Sequence, residues 1–182
     1  DMAMVNRISP QSTLNHAYIT MGYSAMETGN FVAAQDYFSQ AQKSVTDDRH
    51  SLAEAAVLEA DAVFLQKNYT RALSLYEKII AGGGSNGEYA TFQKGILLGL
   101  LNRNSEKLTL MQQIAKSKPA SAYALNARYE IALTHMDMEA YKQALPILRY
   151  LYDSSTDQSF AARALMKTGF AMQQMSDNTG AI

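Results

Sequence analysis

The chain has 182 residues, 47% of them hydrophobic and 18% charged, so it can bury a core and is not disordered as a whole. Its 16 Lys+Arg against 17 Asp+Glu leave a formal net charge of -1, which argues against a broad nucleic-acid or anionic-membrane surface. There is no Cys, which excludes disulfides, thiolate zinc sites and a cysteine nucleophile.

Residues 1–14 read as a lead-in. Asp1 opens without the basic and apolar regions of a signal peptide, and Met2, Met4 and Val5 suit the end of an earlier repeat. Ser9-Pro10 suits a helix start. A first unit over 15–48 places Tyr18, Met21 and Ala25 on one helical face and Ala34, Phe38 and Ala41 on another. Thr28-Gly29-Asn30 breaks the two, with Gly suited to a left-handed helix end. A second unit over 53–86 repeats the pattern in Ala60, Tyr69, Ala72, Tyr76 and Ile79, with its break at Lys67-Asn68. It runs into Gly82-Gly83-Gly84-Ser85-Asn86-Gly87, which lacks the preceding strand and closing Gly-Lys-Ser/Thr of a phosphate loop. That run reads as a mobile inter-repeat loop.

A third unit over 88–121 keeps Gly95, Met111 and Ile114 but has Asn104 and Lys107 where the others have an aromatic and Ala; it closes on Pro119. Its apolar run over 96–101 is far too short to span a bilayer. A fourth unit over 125–158 returns to form with Ala132, Tyr141, Ala144, Leu148 and Leu151, and breaks near Glu139-Ala140. A fifth over 162–182 has Gly169, Asn178 and Ala181 and is cut one turn into its second helix, so the chain reads as a piece of a longer protein. No segment alternates with period two long enough for a sheet, and the whole reads as about ten short antiparallel helices.

The small residues Gly22, Ala60, Gly95, Ala132 and Gly169 recur at steps of 38, 35, 37 and 37 residues. The expectation is that two helix backbones pass closely there, met from the second helix by Ala34, Ala72, Ala144 and Ala181. Phe31, Tyr69 and Tyr141 are expected to wedge into the turns. No helical pair of this kind buries its apolar face alone, so neighbours must stack.

This pattern of small, aromatic, Ala, aromatic and Pro landmarks resembles the tetratricopeptide repeat. The resemblance covers about 15–182 and implies an all-α, right-handed solenoid of antiparallel helix-turn-helix repeats, non-enzymatic, with a protein or peptide partner. The family's early Trp is absent, its slot held by Tyr18, Ala56, Thr91, Arg128 and Leu165. Glu59, Lys94 and Thr168 stand where the family has Leu, which leaves the packing of those helices open. Phrases such as the one over 64–72 are similar to bacterial cell-envelope repeat proteins, implying the periplasm or cell surface, with the cytoplasm as alternative.

In this family the first helices line a concave groove. The resemblance places three columns there: Ile19, Val57, Phe92, Tyr129 and Met166; Tyr23, Asp61, Ile96, Leu133 and Phe170; and Met26, Phe64, Gly99, Met136 and Gln173. Such a surface, apolar and aromatic with Met, suits hydrophobic peptides. The same stripe would serve equally as core, with Tyr23, Phe92, Tyr129 and Phe170 best able to pack by an edge and present a face. Glu54, Asp61, Asn126 and Asp137 would form a polar rim. The first column holds no cation, and Arg128 and Arg163 form no paired cradle, which argues against the family's carboxylate-clamp docking.

Little else suggests chemistry. His135 and Asp137 lie two apart on one helix and diverge, His50 follows Asp47-Asp48-Arg49 in a linker, and His16 has no partner at ligand spacing. No nucleophile elbow, HExxH or EF-hand loop occurs. No catalytic, cofactor or metal residue is therefore assigned. Two other readings compete with a binding groove: a structural spacer or self-association unit joining through open solenoid ends, and a regulatory repeat region of a larger protein.

Overall fold

The computed structural model describes residues 10–117 and 121–179; Met2, Met4, Val5, Ser9, Pro119, Ala181 and Ile182 lie outside them. Among the described residues there is no strand. The helices are α1 (Pro10–Glu27), α2 (Phe31–Lys43), α3 (Arg49–Leu65), α4 (Tyr69–Gly82), α5 (Gly87–Leu100), α6 (Asn104–Ser117), α7 (Ala122–Asp137), α8 (Tyr141–Ser154) and α9 (Gln158–Thr179). They divide into two compact units, Asp1–Ala90 and Thr91–Ile182.

Each break within a helical pair has one local cause. Gly29, Lys67, Asn102 and Glu139 take φ of 73°, 61°, 58° and 58°, the left-handed region. In each case the next residue's N–H reaches back five residues, as in Asn30 to Ala25 at 2.8 Å and Ala140 to His135 at 2.7 Å. This is the Schellman ending, and only at Gly29 is the conformation free of the Cβ penalty. Asn30 and Asn68 then cap α2 and α4, accepting from the N–H groups of Ala33 at 3.2 Å and Arg71 at 3.4 Å. Asp48 caps α3 through His50 and Ser51, both at 3.0 Å. His50 therefore sits in the first turn of α3 rather than in a linker.

The predicted break before Asn178 does not occur. No residue of α9 adopts the left-handed conformation that ends the other first helices, so the helix continues to Thr179. The glycine run ends α4 and turns at Gly83 and Gly84, and Asn86 Nδ2 donates to the Ala53 carbonyl at 3.1 Å, tying it to α3.

Packing gives the small residues a different reason from the expected backbone crossing. The Phe38 ring occupies the space where a Cβ on Gly22 would stand, and the end of Met111 does the same at Gly95. The pairs Ala60 with Tyr76 and Ala132 with Leu148 share this spacing of 16 residues, and all four side chains are buried. Small residues on the first helix thus make room for large side chains of the second. Gly169 has nothing within 4 Å of a built Cβ, because among the described residues no second helix packs on it. Ala164, Thr168 and Ala171 turn inward instead.

One turn further, size is exchanged between the helices. Met26, Phe64 and Met136 on the first helix correspond to Ala34, Ala72 and Ala144 on the second. In the third repeat Gly99 corresponds to Lys107, whose Cδ lies 2.9 Å from a Cβ built on Gly99. Lys107 is 7% exposed and its Nζ is 2.7 Å from Glu130 Oε2. Gly99→Met is expected to overpack this crossing and cost about 1–3 kcal/mol. Combined with Lys107→Ala, the loss should fall short of the sum of the single variants by about 1 kcal/mol in urea unfolding. Strict additivity would show that the two positions do not share space.

Polar groups also hold the first unit. Asn15 is fully buried, donates through Nδ2 to the Ala41 carbonyl at 2.8 Å and accepts from Ser51 Oγ, joining α1, α2 and α3. Glu59, in the family's Leu slot, accepts from Gln42 Nε2 at 2.6 Å and lies 3.7 Å from Arg71. In the Thr91–Ile182 unit, Thr168 meets its burial by donating to the Ala164 carbonyl at 2.9 Å.

Candidate functional site

In the Asp1–Ala90 unit the predicted groove residues divide by burial. Ile19 is 7% exposed and packs with Ala41 and Ala55, which makes it core. Met26 packs on the cluster around Phe38, Phe64 lies 5.8 Å from the Tyr69 ring at the turn, and Val57 is half-buried. Tyr23 is 43% exposed. Its ring stands edge-on to Phe38 at 5.9 Å, and its hydroxyl donates to Glu54 Oε1 at 2.8 Å. Partial burial, then the Glu54 carboxylate, push that phenol up to about 12.

Asp61 leaves the predicted rim. Its Oδ1 accepts from Tyr76 Oη at 2.5 Å and from Tyr89 Oη at 2.9 Å, so it bridges α3, α4 and the start of α5. Burial raises its carboxyl above the ordinary range, against the lowering effect of the two phenol donors. Burial, followed by the Asp61 charge, also raises the Tyr76 phenol. The three groups form an internal network that positions helices.

In the Thr91–Ile182 unit, Phe92 and Ile96 pack on the cluster of Met111, Ile114 and Ile131, and Phe92 lies 5.8 Å from Tyr123. Tyr129 packs 5.4 Å from Phe160, and the Arg163 guanidinium lies 5.7 Å and 5.2 Å from the two ring centroids. Leu133 is half-buried and Met136 is core at 8% exposure. Met166 and Phe170 on α9 remain 75% and 49% exposed, beside exposed Leu165 and Met172. Phe92 and Tyr129, expected to present a ring face, are thus largely taken up by intramolecular contacts, whereas Tyr23 and Phe170 remain 43% and 49% exposed.

The other candidate groups stay apart or pair modestly. Arg128 donates to the Ala115 carbonyl at 3.1 Å and lies over Tyr150 at 5.4 Å. His16 Nε2 comes within 4.0 Å of Asp48 Oδ2, a neighbour its local sequence does not announce. Asn126 and Asp137 are exposed on α7. Among the described residues no cluster of three His, Asp or Glu is arranged to hold a metal ion, and no helix is long and apolar enough to cross a membrane.

No family model matches the sequence, and no curated protein matches it. Solved structures share its fold. RapI in its apo form is similar at 13% identity and a TM-score of 0.77, over 95% of this chain and 53% of RapI, so this chain spans about half of RapI's length. A tetratricopeptide repeat protein from Parabacteroides merdae aligns at 13% identity and a TM-score of 0.72, over 91% of this chain and 61% of its own. YrrB, a tetratricopeptide protein with an unusual peptide-binding site, aligns at 19% identity and a TM-score of 0.63, over 85% and 76%. With repeating helix pairs, Schellman breaks and reciprocal small-to-large packing already in view, these likenesses identify the fold: the chain is an all-α solenoid of the tetratricopeptide-repeat type.

Proposed function

We propose that this chain is a non-enzymatic interaction module that binds a peptide or protein partner through first-helix faces. The observation that carries this reading is the exposure of large apolar side chains at the predicted groove columns: Tyr23 at 43%, Phe170 at 49% and Met166 at 75%. In the same columns Ile19 and Met136 are spent on the core, so these three are not part of a stripe wholly consumed by packing. A ring and an unbranched thioether on one exposed helix suit apolar peptide side chains, with affinity coming from their burial. YrrB, of similar fold and described by its peptide-binding site, supports the class of partner.

The test pairs Met166→Glu with Phe170→Glu, since both side chains are exposed and the variant should stay folded. Peptides selected on the wild-type chain from a random phage-displayed library are expected to bind this variant at least tenfold more weakly, with helical circular dichroism unchanged. Equal binding by both proteins would remove α9 from the site. Phe92→Glu with Tyr129→Glu is unsuitable for the purpose, because both rings hold the second unit together. If the wild type, but not the variant, sedimented faster with rising concentration, the exposed face would belong to self-association instead.

A further inference from the structure

Within the Thr91–Ile182 unit, α6, α7 and α8 line a wide-open cleft of about 690 Å³ that the groove columns do not use. Its size falls in the range of roughly 300–1,000 Å³ usual for ligand sites. Its apolar lining comes from buried Ala115 and Ile131, half-buried Ile147, exposed Pro146 and the half-exposed Tyr150 ring. Its polar lining residues are Gln112, Lys116, Arg128 and His135, with no carboxylate among the described lining residues. The whole chain is nearly neutral at -1, so this concentration of cationic and donor groups is a property of the cleft and not of overall composition.

Two features distinguish the cleft. Arg128 is held between the Ala115 carbonyl at 3.1 Å and the Tyr150 ring at 5.4 Å, so much of the cost of ordering its side chain is met on folding. Pro146 lies inside α8, has no N–H to donate along the helix, and contributes its ring to the cleft lining.

We propose that this cleft docks an acidic peptide segment, its carboxylates against Lys116, Arg128 and His135 and an apolar side chain between Ile131, Ile147 and Tyr150. Opposite charge recruits the segment, and the apolar lining holds it. The site is separate from the exposed α9 face, so either reading can fail without the other.

The test uses a fluorescein-labelled, N-acetylated octapeptide of alternating Leu and Glu, with Leu-Gln and Leu-Lys octapeptides as controls, on the full chain. The Leu-Glu peptide is expected to bind at least tenfold more tightly than either control, with amide chemical-shift changes centred on Ala115, Ile131 and Tyr150. Lys116→Gln, at an exposed position, and Arg128→Gln should each weaken binding about tenfold, whereas Met166→Glu with Phe170→Glu should leave it unchanged. Equal binding of all three peptides, no binding at millimolar peptide, or shift changes centred on α9 would overturn the proposal. So would the same shifts produced by phosphatidylglycerol vesicles or by raising protein concentration alone, which would assign the cleft to a membrane or to a second copy.

Discussion

Phe38→Ala is expected to lower the stability of the Asp1–Ala90 unit by about 3–5 kcal/mol, read from hydrogen exchange of the α1 and α2 amides. The ring is fully buried, fills the space over Gly22, meets the edge of Tyr23 and packs with Ala25, Ala34 and Ala62. The cost is large because its buried neighbours in the cluster are too small to collapse into the void. Three alanines and a glycine cannot extend, so the cavity persists and its lining loses contacts outright. The glycine supplies an internal control. Gly22→Ala in the otherwise native chain meets the Phe38 ring and should destabilise. In the Phe38→Ala background the same change enters empty space, and removing a mid-helix glycine should then stabilise by up to about 1 kcal/mol. A sign that failed to reverse between backgrounds would break the pairing of these two positions.

Lys107→Met is expected to cost about 3 kcal/mol in urea unfolding, followed on α6 and α7. Methionine retains most of the stem that fits over Gly99, so the change chiefly removes the ammonium 2.7 Å from Glu130. The two side chains are 9% and 20% exposed, so the Glu130 carboxylate would lose its cation with little water to replace it. Adding Glu130→Leu should recover most of the loss, because an apolar pair avoids desolvating two charges that repay one another incompletely. A single-variant cost below about 1 kcal/mol would mean that Glu130 reaches solvent on its own.

These two sites stand differently to the sequence. The 16-residue partnership of small and large residues is visible in the repeat pattern itself, in Gly22 with Phe38 and Gly95 with Met111. Lys107 looks like a defect of the third repeat while it is compared only with the alanines at its slot. Set beside Gly99, one turn along α5, it is half of a size exchange that conserves the fit. The signal was present in two positions that have meaning only as a pair.

What the sequence determined by itself is local: the repeat period, the absence of strands among the described residues, and helix breaks at Gly29, Lys67 and Glu139. A Schellman ending closes within six residues, and a helical face recurs within four, so both are written in neighbouring side chains. The tertiary structure decided which side chains remain available. Ile19 and Met166 occupy one predicted column, yet one is 7% and the other 75% exposed. Asp61 appears as a rim acid until Tyr76 and Tyr89 reach it from 15 and 28 residues away. Asn15 gives no sign of being a fully buried anchor until Ala41 and Ser51 close over it. The physical reason is common to all of these. Period and breaks depend on hydrogen bonds and spacing inside one helix or turn, whereas burial, pairing and residual exposure depend on which other helix lies above each residue.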